Sequence, residues 1–491
     1  MASFSIISIF LPLCAGALLP FLKPVSRSER DRNAYVAVVT IMTFAAVLAC
    51  AVGSMPEITL WNLTKELSVS LHPDGLGMIF AVLTSFVWVL NAFYSFTYMH
   101  KEEHLTRYYT VFLLALGAMI GISFAGNMIT MYLFFEMMSL TTVCMVLHEQ
   151  TKEAIEAAKK YLFYSVGGAF AGLALFFVLY HYADTLDFVA GGALDMTKVA
   201  GHEGLILVVT LLAIIGFGSK AGMFPLHGWL PTAHPVAPAP ASAVLSGNIT
   251  KMGVLVIIRI LFYQVGADFL RGTFVQYTFM ILSLLTVFMG SMMAYMEQGF
   301  KKRLAYSTVS QVSYILFGLS LMNPIGFMGA LMHVVFHSLV KNTLFLNAGA
   351  VIHQTGKKNV AELTGIGKEM PVTMWCFTIV SITLVGIPPT SAFLSKWFLA
   401  KGALSSQIPV FSYIGPVVLL LSALLTAGYL VTITMKGFFP GESFDYSRLE
   451  KKEAGLFMTV PMIVLTAGAV IFGMFPGELM KLIEAVAACV F

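Results

Sequence analysis

Along this chain, apolar and polar positions do not alternate at strand spacing. They come as apolar blocks of about 20 residues separated by short polar stretches, the length a helix needs to cross the hydrocarbon core of a bilayer. The blocks fall near 3–22, 34–54, 75–98, 108–125, 127–147, 161–182, 205–230, 239–263, 275–296, 304–322, 325–353, 372–400, 411–435 and 457–478. A segment in lipid must satisfy its own backbone hydrogen bonds, so the pattern predicts an all-α integral membrane protein of about 14 spanning helices. Two blocks are interrupted. Gly216, Gly218, Gly222 and Pro225 in GFGSKAGMFPLHGWLP should break the seventh helix, and Gly386, Pro388 and Pro389 in VGIPPTSAFLSKW the twelfth.

Composition sharpens this reading. Only 11% of the 491 residues are charged and 58% are hydrophobic, against about 25% charged in an ordinary soluble domain. No loop is long enough for an extramembrane domain, so 1–491 reads as a single membrane domain that binds neither nucleotide nor nucleic acid. The first block lacks a basic leader and is expected to remain as a helix rather than be cleaved as a signal peptide. GFGSKA fits a dinucleotide pattern, but no strand precedes it and it lies within a span. Cys14, Cys50, Cys144, Cys376 and Cys489 are scattered, which supports neither a cluster nor a structural zinc. No metal and no cofactor of its own are expected, so any redox centre would belong to partners.

Charge fixes an expected orientation. With both termini outside, 19 of the 29 basic residues fall on inner loops, including Arg448. Lys65, Lys198, Arg271, Lys401 and Lys481 fall outside, and Lys220, Lys251, Arg259, Lys341 and Lys396 within spans. The bias follows the positive-inside rule and predicts a prokaryotic inner-membrane protein with both termini on the outer face. The loop near 231–238, TAHPVAPAP, has no basic residue and reads as a rigid connection tucked against protein.

The chemistry lies in the charges at depth. A lysine or carboxylate at mid-bilayer costs roughly 2.5–3.5 kcal/mol by insertion scales, so such groups mark ion pathways. Glu136 lies near the middle of the fifth block, and its natural partner is an intramembrane lysine. Lys220 sits beside the first break and Lys396 behind the second. Lys251 follows the polar patch SGNITK and could relay protons or pair with a carbonyl. Arg259 is expected to snorkel towards the outer interface. His333, His337 and Lys341 recur at i, i+4 and i+8, one side of a helix over about 12 Å, a candidate proton wire. His227 could take up protons near the inner face or be an interfacial histidine. The His pair lacks a third metal ligand.

FFEMMSL, GFGSKAGMFPLHGWLPTAHPVAPAPASAVLSGNITKMG, KKRLAYSTVSQVSYI, HVVFHSLVKNTLFLNAGAV and GIPPTSAFLSKW resemble the antiporter-like proton-pumping subunits of respiratory complex I, a superfamily shared with Mrp cation/proton antiporters and membrane-bound hydrogenases. The resemblance implies two inverted five-helix repeats, here 108–263 and 275–435. Helices 1–3 within 1–107 and a last helix within 457–491 would flank them. It also implies a relay of Glu136, Lys220, Lys251, His333 and Lys396, with Glu136 pairing Lys220. Lysine at 396 and the chain's length point towards an Mrp D-like or N-type subunit. The implied cargo is H+, with Na+ as a second candidate, and the implied partners are other membrane subunits of an Mrp, complex I-like or hydrogenase assembly. A stand-alone organic-solute transporter and a transport-dead scaffold are the rival readings.

Overall fold

The computed structural model describes residues 2–53, 56–64, 67–442, 444–445 and 450–491; Lys65 and Arg448 of the charge count lie outside them. The apolar blocks form helices. They are α1 Ala2–Leu18, α2 Glu29–Ala51, α3 Gly75–Tyr98, α4 Leu105–Ser123, α5 Met128–Val146, α6 Lys152–Tyr182 and α7 Glu203–Ala221. A short α8, Leu230–Val236, precedes a continuous helical stretch α9, Ala239–Val265. Then follow α10 Phe274–Met296, α11 Phe300–Ser320, α12 Pro324–Thr355, α13 Pro371–Val385, α14 Ser391–Ser405, α15 Phe411–Phe438, α16 Leu456–Met474 and α17 Gly477–Val490. Among the described residues, 11 helices are long and apolar enough to cross a membrane. The protein is an all-helical integral membrane protein.

The bundle is built around two buried helical stretches. The stretch Ala239–Val265 is wholly buried, and most of Pro324–Thr355 is buried with it. Lipid rewards no burial of apolar surface, so the centre is where polar side chains find partners and small residues allow close approach. Gly216 of α7 meets Gly168 of α6 backbone to backbone: a Cβ on Gly216 would lie 2.3 Å from the Gly168 carbonyl oxygen.

Four expectations are corrected. Gly216 and Gly218 do not break the seventh helix, because α7 runs through both to Ala221. They are packing positions, and the helix ends only at Gly222, whose φ of +84° is left-handed. The stretch 231–238 is not a plain connection: Leu230–Val236 turns helical, with Pro231 in its first turn, where a missing amide hydrogen costs nothing. A two-stranded antiparallel hairpin, β1 Ile58–Asn62 with β2 Ser68–Leu71, occupies the α2–α3 connection. Asn127 caps α5 and donates to the Ser68 carbonyl at 2.9 Å, tying the hairpin to the bundle. Last, the final block ends at Met474; after Pro476 a separate helix, α17, packs against α12 and α3.

Candidate functional site

Lys220 is fully buried in the last turn of α7. Its Nζ donates to Tyr161 Oη at 2.5 Å, Ser139 Oγ at 3.0 Å and Ser165 Oγ at 3.2 Å, hydroxyls supplied by α5 and α6. Tyr161 in turn shares a hydrogen bond with Thr142 at 2.5 Å. Beyond the Gly222 turn, Trp229 returns over the site: its Nε1 donates to the Ser219 carbonyl at 2.7 Å and its ring meets Tyr161 edge-on at 4.7 Å. The interruption of the seventh helix thus folds a roof over the lysine. His227 lies in that turn, half-buried, with its ring 5.9 Å from Phe224 and Nδ1 without a protein partner.

Glu136 does not meet Lys220. Among the described residues no carboxylate oxygen lies within 4.0 Å of the amine, although each charge acts on the other. The reason is helical phase. Ser139, not Glu136, points from α5 at the lysine, while Glu136 shares a face with Leu133 and Leu140, which are 49% and 55% exposed. Glu136 is half-buried on the flank of the bundle; its carboxylate bonds Tyr132, and its covered Oε1 has no partner among the described residues.

Farther along, Leu245–Ile249 forms a π-turn in α9, as functional helices often do. Lys251, just after it, donates to the Ser246 carbonyl at 2.6 Å and lies 3.4 Å from Thr250 Oγ1. Ser246 Oγ continues to Thr308 of α11 at 2.6 Å. On α12, Lys341 donates to Ser307 Oγ at 2.7 Å and to the Leu304 carbonyl at 3.1 Å. The His337 and His333 rings stack at 5.7 Å, and His333 lies 5.5 Å from the Tyr314 ring. His333 Nδ1 bonds Ser395 Oγ of α14 at 2.9 Å, whereas His333 Nε2 and both nitrogens of His337 have no partner among the described residues. One residue on, Lys396 donates to the carbonyls of Leu384 and Val385, at 2.7 and 3.0 Å. Those are the last carbonyls of α13, which ends at Gly386 with φ +91°; Pro388 and Pro389 follow in the turn before α14.

Amines and imidazoles thus stand on α7, α9, α12 and α14, all of them fully buried except the half-buried Lys396. Arg259 does not snorkel. It is 2% exposed and forms a bidentate pair with Asp74, both bonds 2.7 Å, between the rings of Phe188 and Tyr263. Sequence reading missed that pair, the hydroxyl cage of Lys220, and His234, a fully buried imidazole in α8. A signal existed only for His234, a histidine in a stretch free of basic residues that was expected to tuck against protein.

The family described as NADH:quinone oxidoreductase/Mrp antiporter, transmembrane, matches residues 125–426. The N-terminal family of NADH-ubiquinone oxidoreductase (complex I) chain 5 matches residues 62–109. NADH-quinone oxidoreductase subunit N of Desulforudis audaxviator is 32% identical over 86% of this chain and 84% of that protein. Hydrogenase-4 component B of Escherichia coli is 31% identical over 83% of this chain, which spans only 62% of that longer protein. A chain of the Mrp complex from Dietzia sp. superposes over 100% of this chain and 98% of its own length with a TM-score of 0.85 at 21% identity, a shared fold. This chain belongs to the NADH:quinone oxidoreductase/Mrp antiporter family of transmembrane subunits.

Proposed function

We propose that the chain moves protons across a prokaryotic inner membrane as one subunit of a larger membrane assembly, through Glu136, Lys220, Lys251, Lys341, His333 and Lys396. One observation carries this reading. Four amines, those of Lys220, Lys251, Lys341 and Lys396, are held in the bundle by hydroxyls, carbonyls and, for Lys220 and Lys396, aromatic rings, with no carboxylate within 4.0 Å among the described residues. At roughly 2.5–3.5 kcal/mol each, four lysines at depth cost on the order of 10 kcal/mol, comparable to the net stability of a folded domain. A scaffold would gain nothing for that cost. A lysine facing only neutral partners can also lose its proton without stranding a counter-ion, and the hydroxyls of Ser139, Tyr161 and Ser165 can turn to donate to the neutral amine.

Unpartnered polar atoms support the same reading. Asn248 Nδ2, the Gln311 amide, His333 Nε2 and both nitrogens of His337 lack protein partners. Leaving such groups dry would cost about 1–3 kcal/mol each, and water in a polar cavity is the usual remedy. We further infer 14 spans in two inverted repeats, 108–263 and 275–435, between helices within 1–107 and 457–491. The matching left-handed glycines that end α7 and α13 speak for that arrangement. The basic bias of alternate loops speaks for both termini on the outer face.

The driving event belongs to partner chains, as redox chemistry or a counter-flowing cation such as Na+. A neighbour bearing flavin or a nickel–iron centre in the purified assembly would mark redox drive. The relay is tested by reconstituting that assembly in liposomes and following internal pH with a dye. Lys220→Ala and Glu136→Ala should each abolish transport with assembly intact, and near-wild-type flux in either defeats the assignment.

A further inference from the structure

A cleft of ≈ 420 Å³ opens on the face where Lys101, Lys302 and Lys358 gather. Two carboxylates line this basic mouth, Glu102 in the turn after α3 and Glu149 in the turn between α5 and α6. Lys301, in the first turn of α11, lines it as well. It is 9% exposed, and its Nζ donates to the Ala237 carbonyl, just past α8, at 2.9 Å. Pro235 of α8 also reaches the cleft, so the residue before it, His234, lies in the adjoining interior. His234 is 0% exposed, stacks on Phe345 with ring centres 4.6 Å apart, and has no partner at either ring nitrogen among the described residues. The cations whose fields act on it are Lys341, Lys301 and Lys251. At the rim, His353 lies 5.3 Å from the Tyr98 ring with both nitrogens free of protein partners.

Free protons are scarce at neutral pH. At pH 7, diffusion at about 10⁹–10¹⁰ M⁻¹s⁻¹ delivers free protons to one site only some 10²–10³ times per second. Carboxylates at a mouth relieve this by trading protons with buffer. Burial and the neighbouring charge of Glu149 push the Glu102 carboxyl above its ordinary range, against the pull of Lys301, so it holds a proton more readily than a free side chain.

We infer that this cleft is the proton port of the relay on the lysine-rich face: Glu102 and Glu149 exchange protons with water and buffer, Lys301 hands them to His234, and His234 connects to Lys341 and Lys251. Each transfer breaks one O–H or N–H bond as the next forms, so the groups return to their starting state with one proton moved. The inference rests on the proton-translocating reading above.

The test uses the intact assembly in liposomes with a pH dye on both sides, across a range of pH and of small-buffer concentration. The double variant Glu102→Gln/Glu149→Gln should slow transport about tenfold at alkaline pH and dilute buffer, and concentrated buffer should restore it. His234→Phe, which keeps the stack on Phe345, should stop transport with no restoration by buffer. Wild-type rates in the double variant, or slowing that buffer does not relieve, overturn the port; wild-type rates in His234→Phe overturn its inner leg. Should the double variant not assemble, the exposed Glu149→Gln alone should show a smaller slowing that buffer relieves, and its absence overturns the port. Transport that survives in the Lys220→Ala control refutes translocation through the relay itself, a separate failure.

Discussion

Replacing Lys220 by methionine separates a working charge from a structural one. Methionine keeps the length and most of the volume of the side chain, so the space under Trp229 stays filled. Removing the ammonium relieves roughly 2.5–3.5 kcal/mol of burial cost. Three hydrogen bonds are lost, to Ser139, Tyr161 and Ser165, each worth about 1 kcal/mol net, or somewhat more because the donor is charged. Tyr161 keeps its bond to Thr142, so its hydroxyl is not orphaned. The two sums nearly cancel, and the folded state should be unchanged within about 1–2 kcal/mol. Transport should nevertheless fall by at least about 10². The assay pairs thermal unfolding of the purified assembly in detergent with proton flux after reconstitution. A variant that melts far below wild type would refute the ledger, since it would mean that the cage depends on the charge. A variant that still transports would refute the relay.

Asp74→Asn leaves Arg259 buried without its counter-charge, at a cost of about 3–5 kcal/mol. Burial alone would raise the Asp74 carboxyl, but the Arg259 charge and hydrogen bonds, with the Gly77 amide, hold it below the ordinary range. Its stabilisation is therefore complete above the unfolded value of about 3.9 and fades as pH falls through the lower folded value. Wild type and variant should melt apart at neutral pH and converge only in acid; a gap that persists there would count against the pair. Gly216→Val sets a side chain 2.3 Å from the Gly168 carbonyl oxygen, so α6 and α7 must part, costing about 1–3 kcal/mol; an unchanged melting temperature would show that they do not meet so closely. Trp229→Phe keeps a ring against Tyr161 but removes one of the two bonds to the Ser219 carbonyl, which keeps the Gly222 amide, and should cost about 0.5–1.5 kcal/mol and slow transport; unchanged stability and flux would show that the roof over Lys220 is dispensable.

What the sequence disclosed about the site follows from single-residue energetics. A lysine in an apolar run announces itself because its cost is large and independent of its neighbours, so Lys220, Lys251, Lys341 and Lys396 were legible without a fold. Their partners were not. Serine occurs throughout apolar helices, bonded to its own backbone, and nothing local distinguishes Ser139, which faces Lys220, from any other. The Glu136–Lys220 contact failed for a related reason: depth along a helix is readable, but which face turns inward depends on how α5 and α6 pack. Arg259 was misjudged because Asp74, its partner, lies 185 residues away in sequence. Gly216 and Gly218 were read as breaks because composition alone cannot tell a glycine that ends a helix from one that lets another helix approach.

The two interruptions solve one electrostatic problem in two ways. Lys220 lies just before its break, in the last turn of α7; Lys396 lies just after its break and reaches back to the last carbonyls of α13. Lys396 thus holds its ammonium at the carboxyl end of a helix, where the last carbonyls carry about half a negative charge, while Lys220 directs its own to the hydroxyl dipoles of α5 and α6. Such a dipole is fixed and modest, worth up to about 2 kcal/mol in partly buried geometry, less than a buried carboxylate would supply. It lowers the cost of holding a proton without locking the proton in place. A further charge arriving nearby, on Glu136 for Lys220 or on His333 for Lys396, is then comparable in size to the stabilisation already present and can decide whether the amine keeps or releases its proton. A carboxylate in direct contact would have removed that freedom, which gives a physical reason why the described structure holds Glu136 beyond bonding distance of Lys220.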